Sequence, residues 1–169
     1  MINIILSKKI NKMASLDQKA RKQAMRSNIW DHVKILDKKN TLELKKIIKI
    51  YGWPTIPMVG KKTSFNAWLL AQHADKDLKF QKKVLELLKN IYKKNDKDIN
   101  PSNIAFLTDR ILVAEGKKQI FGTQFYLNKK KLFVSRPIKN IKDIEKRRKE
   151  YKMRPFLEDL LSAKERFKK

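Results

Sequence analysis

Apolar residues three and four positions apart recur along most of the chain, and a single short region alternates instead. The first spacing lines up one face of an α-helix, and alternation lines up one face of a strand. Leu44, Ile47, Ile48 and Tyr51 keep the helical spacing, as do Phe65, Trp68 and Leu69, then Leu78, Leu85, Leu88 and Tyr92, and later Ile141, Ile144 and Tyr151. "KQIFGTQFYL" alternates Phe121, Thr123, Phe125 and Leu127 against Ile120, Gly122, Gln124 and Tyr126; "NKKK" turns the chain and "LFVSR" returns it. That is the pattern of an antiparallel β-hairpin. The expected fold is α+β, predominantly helical, with one hairpin in the C-terminal half.

Caps and breakers set the boundaries. Residues 1–12 read as an N-terminal extension and residues 13–169 as a single globular domain that opens on a helix over residues 13–37. "NTLE" offers Asn40 as an N-cap with Glu43 three residues on, for a helix that Gly52 stops. "GWPTIPMVG", with Pro54, Pro57 and Gly60, reads as a loop that holds Trp53 in the core. Helices are expected from about Ser64, over residues 77–92, and after the cap pair Asn100 and Pro101, the last of these ending at Gly116. A charged helix over residues 140–151 and "RPFLEDLLSAKERF" complete the chain.

A chain of 169 residues suits one domain, since a domain near ~150 residues buries roughly 70% of the surface its unfolded chain exposes. The absence of cysteine excludes a disulfide framework and thiolate metal sites and fits a reducing compartment. "MINIILSKKINKM" has no basic residue ahead of its few apolar ones and is far too short to span a bilayer, so the reading is a soluble cytoplasmic protein with no membrane partner. A net charge of +25 invites nucleic acid, because clustered cations release counterions from a phosphate backbone. Yet 34 of the 42 basic residues are Lys and eight are Arg, the type whose fork suits phosphates and guanine edges. Abundant Lys beside 18 Ile and 11 Asn also follows from an AT-rich coding sequence, and the charge is spread as on a solvated helix surface.

Polar residues interrupt the apolar faces. Gln72 and His73 continue the stripe of Phe65, Trp68 and Leu69; Asp109 and Arg110 break "IAFLTDRILVA", which is apolar nearly all round; Arg148 and Gln81 fall on apolar lines of their own helices. An ion buried without a partner costs several kcal/mol. Gathered together, these groups would line one polar pocket in an apolar shell, the usual form of a small-ligand site. Each also has an ordinary reading: a hydrogen-bonded core histidine, an ion-pair network at Asp109 and Arg110, a snorkelling Arg148, and glutamines that satisfy buried backbone. Asp17 and Arg21, at i and i+4, read as a surface pair. Gly122 marks a bulge or a ligand's close approach.

"DQKAR" (Asp17 to Arg21), "YGWPT" (Tyr51 to Thr55), "VG" (Val59, Gly60), "AWLLAQHAD" (Ala67 to Asp75), "FQ" (Phe80, Gln81), "LTDRILVAEGKKQIFGTQF" (Leu107 to Phe125), "RPI" (Arg136 to Ile138) and "RR" (Arg147, Arg148) resemble, in order, a bacterial domain family of unknown function. The resemblance covers about residues 13–155. Phe121 departs from it, standing where the family pattern often has Tyr, and the return strand and tail are unusually rich in Lys. The resemblance implies that Gln72, His73, Asp75, Asp109, Arg110, Gln119, Thr123, Gln124 and Arg148 form the hallmark set. It implies no reaction.

Two functions follow. The first is a hydrolase-like enzyme, or a sensor built like one, for a small anionic or amide-bearing metabolite. His73 would be its acid/base, because imidazole titrates nearest neutrality, with Asp75 or Asp109 to orient it. Arg110 and Arg148 would hold an anionic group, and Gln72, Gln119, Thr123 and Gln124 would fix the ligand's orientation. No cofactor is expected, and no metal: His73 and Asp75 project about 200° apart on one helix, which argues against shared ligation. The alternative is a nucleic-acid-binding module using "NKKKLFVSR", the Arg147/Arg148 helix, and Phe121, Phe125, Tyr126 and Phe133 as stacking rings. The chain has no P-loop, dinucleotide fingerprint, nucleophile elbow, HExxH, zinc-finger or RNP-like signature.

Overall fold

Local signals fix where each helix begins and ends. In the computed structural model, which describes residues 2–168 and side chains as far as Glu165, the chain forms two compact units, Met1–Asn100 and Pro101–Lys169. The fold is α+β and mostly helical, with an antiparallel two-stranded hairpin in the C-terminal half. No helix among the described residues is long and apolar enough to cross a membrane.

The first unit contains α1 (Ile4–Ser27), α2 (Asp31–Tyr51), α3 (Ile56–Val59), α4 (Lys61–Gln72) and α5 (Leu78–Lys94). Helix α1 begins well before residue 13, because the Asn3 side chain accepts the Leu6 amide at 3.0 Å as an N-cap. Leu6 and Ile10 are buried, so residues 4–12 belong to the bundle and are not an extension. The helix stops at Asn28, which takes a left-handed conformation with φ 55°. No glycine or proline marks that break, hence the expectation of one helix over residues 13–37. Asn40 proves to lie inside α2, buried, and the neighbouring Thr41 hydroxyl donates to the Asp37 carbonyl at 2.7 Å. The apparent capping box was therefore an inward-facing asparagine that happened to precede a glutamate. Gly52 ends α2 as expected, with φ 73°. "GWPTIPMVG" is not wholly a loop: α3 is one helical turn that tolerates Pro57 in its first turn, where the missing N–H has no partner to lose.

Helix α4 packs against α1, α2, α3 and α5. Thr63, Ser64, Ala67, Trp68, Leu70 and Ala71 are buried on it, and the small ones among them let neighbouring backbones come close. Phe65 is 45% exposed, so the inward face is not the stripe that begins at Phe65. Gln72 and His73 consequently sit half-buried on the flank of that face.

In the second unit, α6 (Ser102–Ala114) is followed by β1 (Phe125–Leu127), β2 (Phe133–Ser135), a 3-10 turn (Ile141–Asp143), α7 (Ile144–Glu150) and α8 (Phe156–Lys168). The strands pair Phe125 with Ser135, Tyr126 with Val134 and Leu127 with Phe133. The hairpin is shorter than its alternation suggested, because the amides of Ile120, Phe121 and Thr123 point at the Asp109 carboxylate and not at a neighbouring strand. Gly122 has φ 71°, and a Cβ there would lie 2.7 Å from the Phe156 ring and 2.9 Å from Ile144. That glycine makes room for packed side chains of its own unit.

Candidate functional site

Close packing of α1 on α4 brings Asp17 to His73. Asp17 lies in the buried stripe of α1, in line with Leu6, Ile10, Ala14, Ala20 and Ala24, and is 1% exposed. His73 is the C-cap of α4, its backbone N–H donating to the Leu69 carbonyl at 3.1 Å. The last carbonyls of a helix lack intrahelical partners. Here Gln81 of α5 supplies one, its Nε2 donating to the Gln72 carbonyl at 2.9 Å and to Asp75 Oδ1 at 3.3 Å. Inward-facing Gln81 thus satisfies backbone and steadies the turn that carries His73 and the exposed Asp75. The Oε1 atom of Gln72 is buried with no partner among the described residues.

His73 Nδ1 lies 3.0 Å from Asp17 Oδ2. A carboxylate only accepts, so Nδ1 carries the proton and donates, and a neutral ring keeps its lone pair on Nε2. Gln18 Nε2 donates to the same carboxylate oxygen at 2.8 Å, and Arg21 Nε donates to the other at 3.1 Å. The Arg21 Nη2 also pairs with Asp37. Burial pushes the Asp17 carboxyl up, but the hydrogen bonds and charges of His73 and Arg21, with Gln18, outweigh it and hold Asp17 below the ordinary aspartate value. At Asp37 burial prevails over the pull of Arg21, and the carboxyl is raised.

His73 opens onto a cavity of about 640 Å³. Trp30, the N-cap of α2, and Lys34, Asp37, Lys38, Thr41 and Lys45 of α2 line it at helical spacing, together with the link from His73 to Asp77 and Arg21 of α1. Five basic and three acidic side chains line it. Lys45 is paired with Asp77 at 2.5 Å and Lys34 with Asp31 at 2.8 Å, whereas Lys38 and Lys76 have no ion-pair partner among the described residues. The imidazole is 12% exposed, and its Nε2 makes no hydrogen bond to any described residue.

The remaining expected site residues belong to the second unit, where hydrogen bonds to their own unit engage most of them. Asp109 is wholly buried and accepts from the amides of Ile120 at 2.7 Å, Phe121 at 3.0 Å and Thr123 at 3.0 Å, and from the Thr123 hydroxyl at 3.1 Å. Burial pushes its carboxyl up, with these hydrogen bonds pulling against it. Gln119, also buried, donates to Ser135 Oγ and the Arg136 carbonyl and accepts the Gln124 amide at 2.8 Å, tying the loop to the hairpin. Gln124 donates through Nε2 to the Thr123 hydroxyl at 3.0 Å. Arg148 does not snorkel: fully buried, it donates to the carbonyls of Phe121 and Arg154 and pairs with Asp159. Arg110 is half-buried on α6.

A family model described as "Family of unknown function (DUF6624)" matches residues 6–166. The chain belongs to that family. Neither the curated proteins nor the solved structures hold a match to it. The DUF6624 match takes in both compact units, and with them His73, its cavity and the Asp109 loop.

The residues alone singled out His73 in this DUF6624 chain but did not pair it with Asp17. Asp17, not Asp75 or Asp109, holds the imidazole. The pair of Asp17 with Arg21 exists at i and i+4, but buried and not on the surface. The signal was available: Asp17 stands three residues from Ala14 and three from Ala20, within the buried line of α1 once that helix is started at Ile4. Asp17, Asp37 and His73 each also place one ligand atom within 4.8 Å of the others, a donor set of the type that binds divalent metals. The Arg21 guanidinium bonds both carboxylates and already stands as their cation.

Proposed function

We propose that this DUF6624 chain is a hydrolase-like enzyme that binds a small anionic metabolite in the cavity beside α2 and uses His73 as its general acid/base. The observation that carries this reading is a cavity-lining histidine whose imidazole is tied through Nδ1 to a buried carboxylate at 3.0 Å and whose Nε2 makes no hydrogen bond to any described residue. In the proposed step Nε2 takes a proton from water as the water oxygen bonds to the electrophilic centre. The imidazolium then returns that proton to the oxygen that leaves as the ester bond breaks. Asp17 fixes the tautomer and stabilises the imidazolium, the part a buried aspartate plays in hydrolase triads. Lys38 and Lys76 offer positive charge to the anion.

The test is turnover of a panel of phosphate and carboxylate esters by the intact chain, by His73→Gln and by Asp17→Asn. General acid–base catalysis contributes about 10²- to 10⁴-fold, so a loss of at least about 100-fold in kcat with the fold retained supports the reading. Activity unchanged in His73→Gln rejects it. Binding without turnover, read as a ligand-dependent rise in melting temperature that His73→Gln abolishes, makes the chain a sensor. The nucleic-acid reading rests on charge alone: Phe125 stacks on Phe133 at 5.5 Å, Phe121 is buried against Tyr151, and Arg147 donates to the carbonyls of Ile120, Lys139 and Asn140.

A further inference from the structure

The chain has three tryptophans, of which Trp53 and Trp68 are core residues at 4% and 5% exposure while Trp30 is 37% exposed. Trp30 lines the His73 cavity, and its indole makes no ring or cation contact with any described residue. An indole left half in water on the wall of a cationic cavity is a platform for a flat ring, because every aromatic face can stack on it.

Three further observations narrow the ligand. From Trp30 to Asp37 and Lys38 is two turns of α2, about 10–12 Å along its axis, so one molecule touching both the indole and the His73 end has to be elongated. Bare phosphate is too small, and a mononucleotide, measured from base to phosphate, has the reach. The charge is positive on balance, and the two unpaired groups, Lys38 and Lys76, are point charges of the kind that hold phosphate. Among the lining residues there is no Asn or Gln, so an amide-bearing ligand finds no matching side-chain amide.

We infer that the His73 cavity takes a phosphate ester of a flat aromatic compound, a mononucleotide being the fitting class, with its ring on Trp30 and its phosphate held by Lys38 and Lys76. This inference rests on the proposed acid/base site and names its substrate class. The cavity has the volume of a small-ligand pocket, which favours a single nucleotide over a nucleic-acid strand.

The experiment titrates the intact chain with adenosine 5′-monophosphate, adenosine and inorganic phosphate while following tryptophan emission and the His73 ring ¹⁵N resonances. The monophosphate should quench emission saturably and bind at least ten-fold more tightly than either of the other two. Trp30→Leu, a change at an exposed side chain, should remove the quench and weaken the monophosphate about ten-fold while leaving inorganic phosphate unaffected. Lys38→Ala with Lys76→Ala should weaken both. Equal affinity for the monophosphate and inorganic phosphate, or full affinity in Trp30→Leu, overturns the inference. The acid/base reading stands if inorganic phosphate still perturbs His73 and His73→Gln still abolishes turnover. It falls with the inference if no anion perturbs His73 and His73→Gln turns over as before.

Discussion

Replacing Asp17 with Asn tests the centre of the site at almost constant shape. The carboxylate accepts from His73 and Gln18 on one oxygen and from Arg21 on the other, at 3.0, 2.8 and 3.1 Å. In the variant the remaining oxygen still serves Arg21, which also keeps Asp37. The new amide faces Gln18 and His73, so two bonds to a charged acceptor, each worth about 1.5–3 kcal/mol, are lost. A neutral imidazole moves its proton to Nε2 and accepts from the amide, regaining about 1 kcal/mol, and exposed Gln18 turns to water. The expected loss of stability at pH 7 is about 3 kcal/mol, measured by urea denaturation. The lowered carboxyl of Asp17 sets the pH dependence: its contribution is complete above the ordinary aspartate value, about 3.9, and is lost as pH falls below that through the folded value. The gap between parent and variant should therefore be no smaller at pH 5 than at pH 7, since the carboxylate also favours the imidazolium, and should shrink in stronger acid. Ring ¹⁵N spectra should show the neutral tautomer change from Nδ1–H to Nε2–H. A gap under about 1 kcal/mol at neutral pH, a gap that persists undiminished in strong acid, or an unchanged tautomer refutes the reasoning.

Gly122→Ala should lower unfolding free energy by about 2–4 kcal/mol in a urea melt, because it adds a Cβ at φ 71° against Phe156 and Ile144. Asp109→Asn puts an amide where donors converge, so the amides of Ile120, Phe121 and Thr123 should exchange hydrogen at least about ten-fold faster, which exchange mass spectrometry or NMR reads directly. Arg148→Met leaves Asp159 with only the exposed Arg154 among the described residues and frees the Phe121 carbonyl, for an expected loss of about 3–5 kcal/mol by thermal or urea unfolding.

The helical class and the hairpin were legible because burial on one face imposes a period, and a period survives in sequence without any knowledge of neighbours. Boundaries depend on backbone states that several residue types adopt. Gly52 and Gly116 advertised their ends, whereas Asn28 closed α1 through a left-handed turn that its neighbours "RSNIW" do not announce. The inward face of α4 was misread for a related reason: a stripe of large apolar residues is easier to see than the buried line of Thr63, Ala67, Leu70 and Ala71 that the crowded centre of a bundle requires. The first half of the alternating segment met its apolar and polar positions without forming a strand, since a buried carboxylate satisfies backbone amides as well as a neighbouring strand does.

A polar side chain on an apolar face announces that something meets it, and sequence does not say whether that is protein or ligand. Asp109 and Arg148 announced themselves as clearly as His73 did, and in the structure their donors and acceptors meet backbone carbonyls, amides and side chains of their own unit. What separates His73 is arithmetic at the atom: one ring nitrogen is committed to Asp17, the other makes no hydrogen bond to any described residue, and the residue lines a cavity. Asp17 went unnoticed for the opposite reason, since an acid four residues before an arginine satisfies the expectation of a surface pair so well that nothing demands a further partner. An unmatched hydrogen-bonding group at a cavity wall is therefore the criterion that turns a list of odd residues into a site. Applied to this chain it selects the imidazole of His73 for the proposed site and finds Asp109, Gln119 and Arg148 hydrogen-bonded within their own unit.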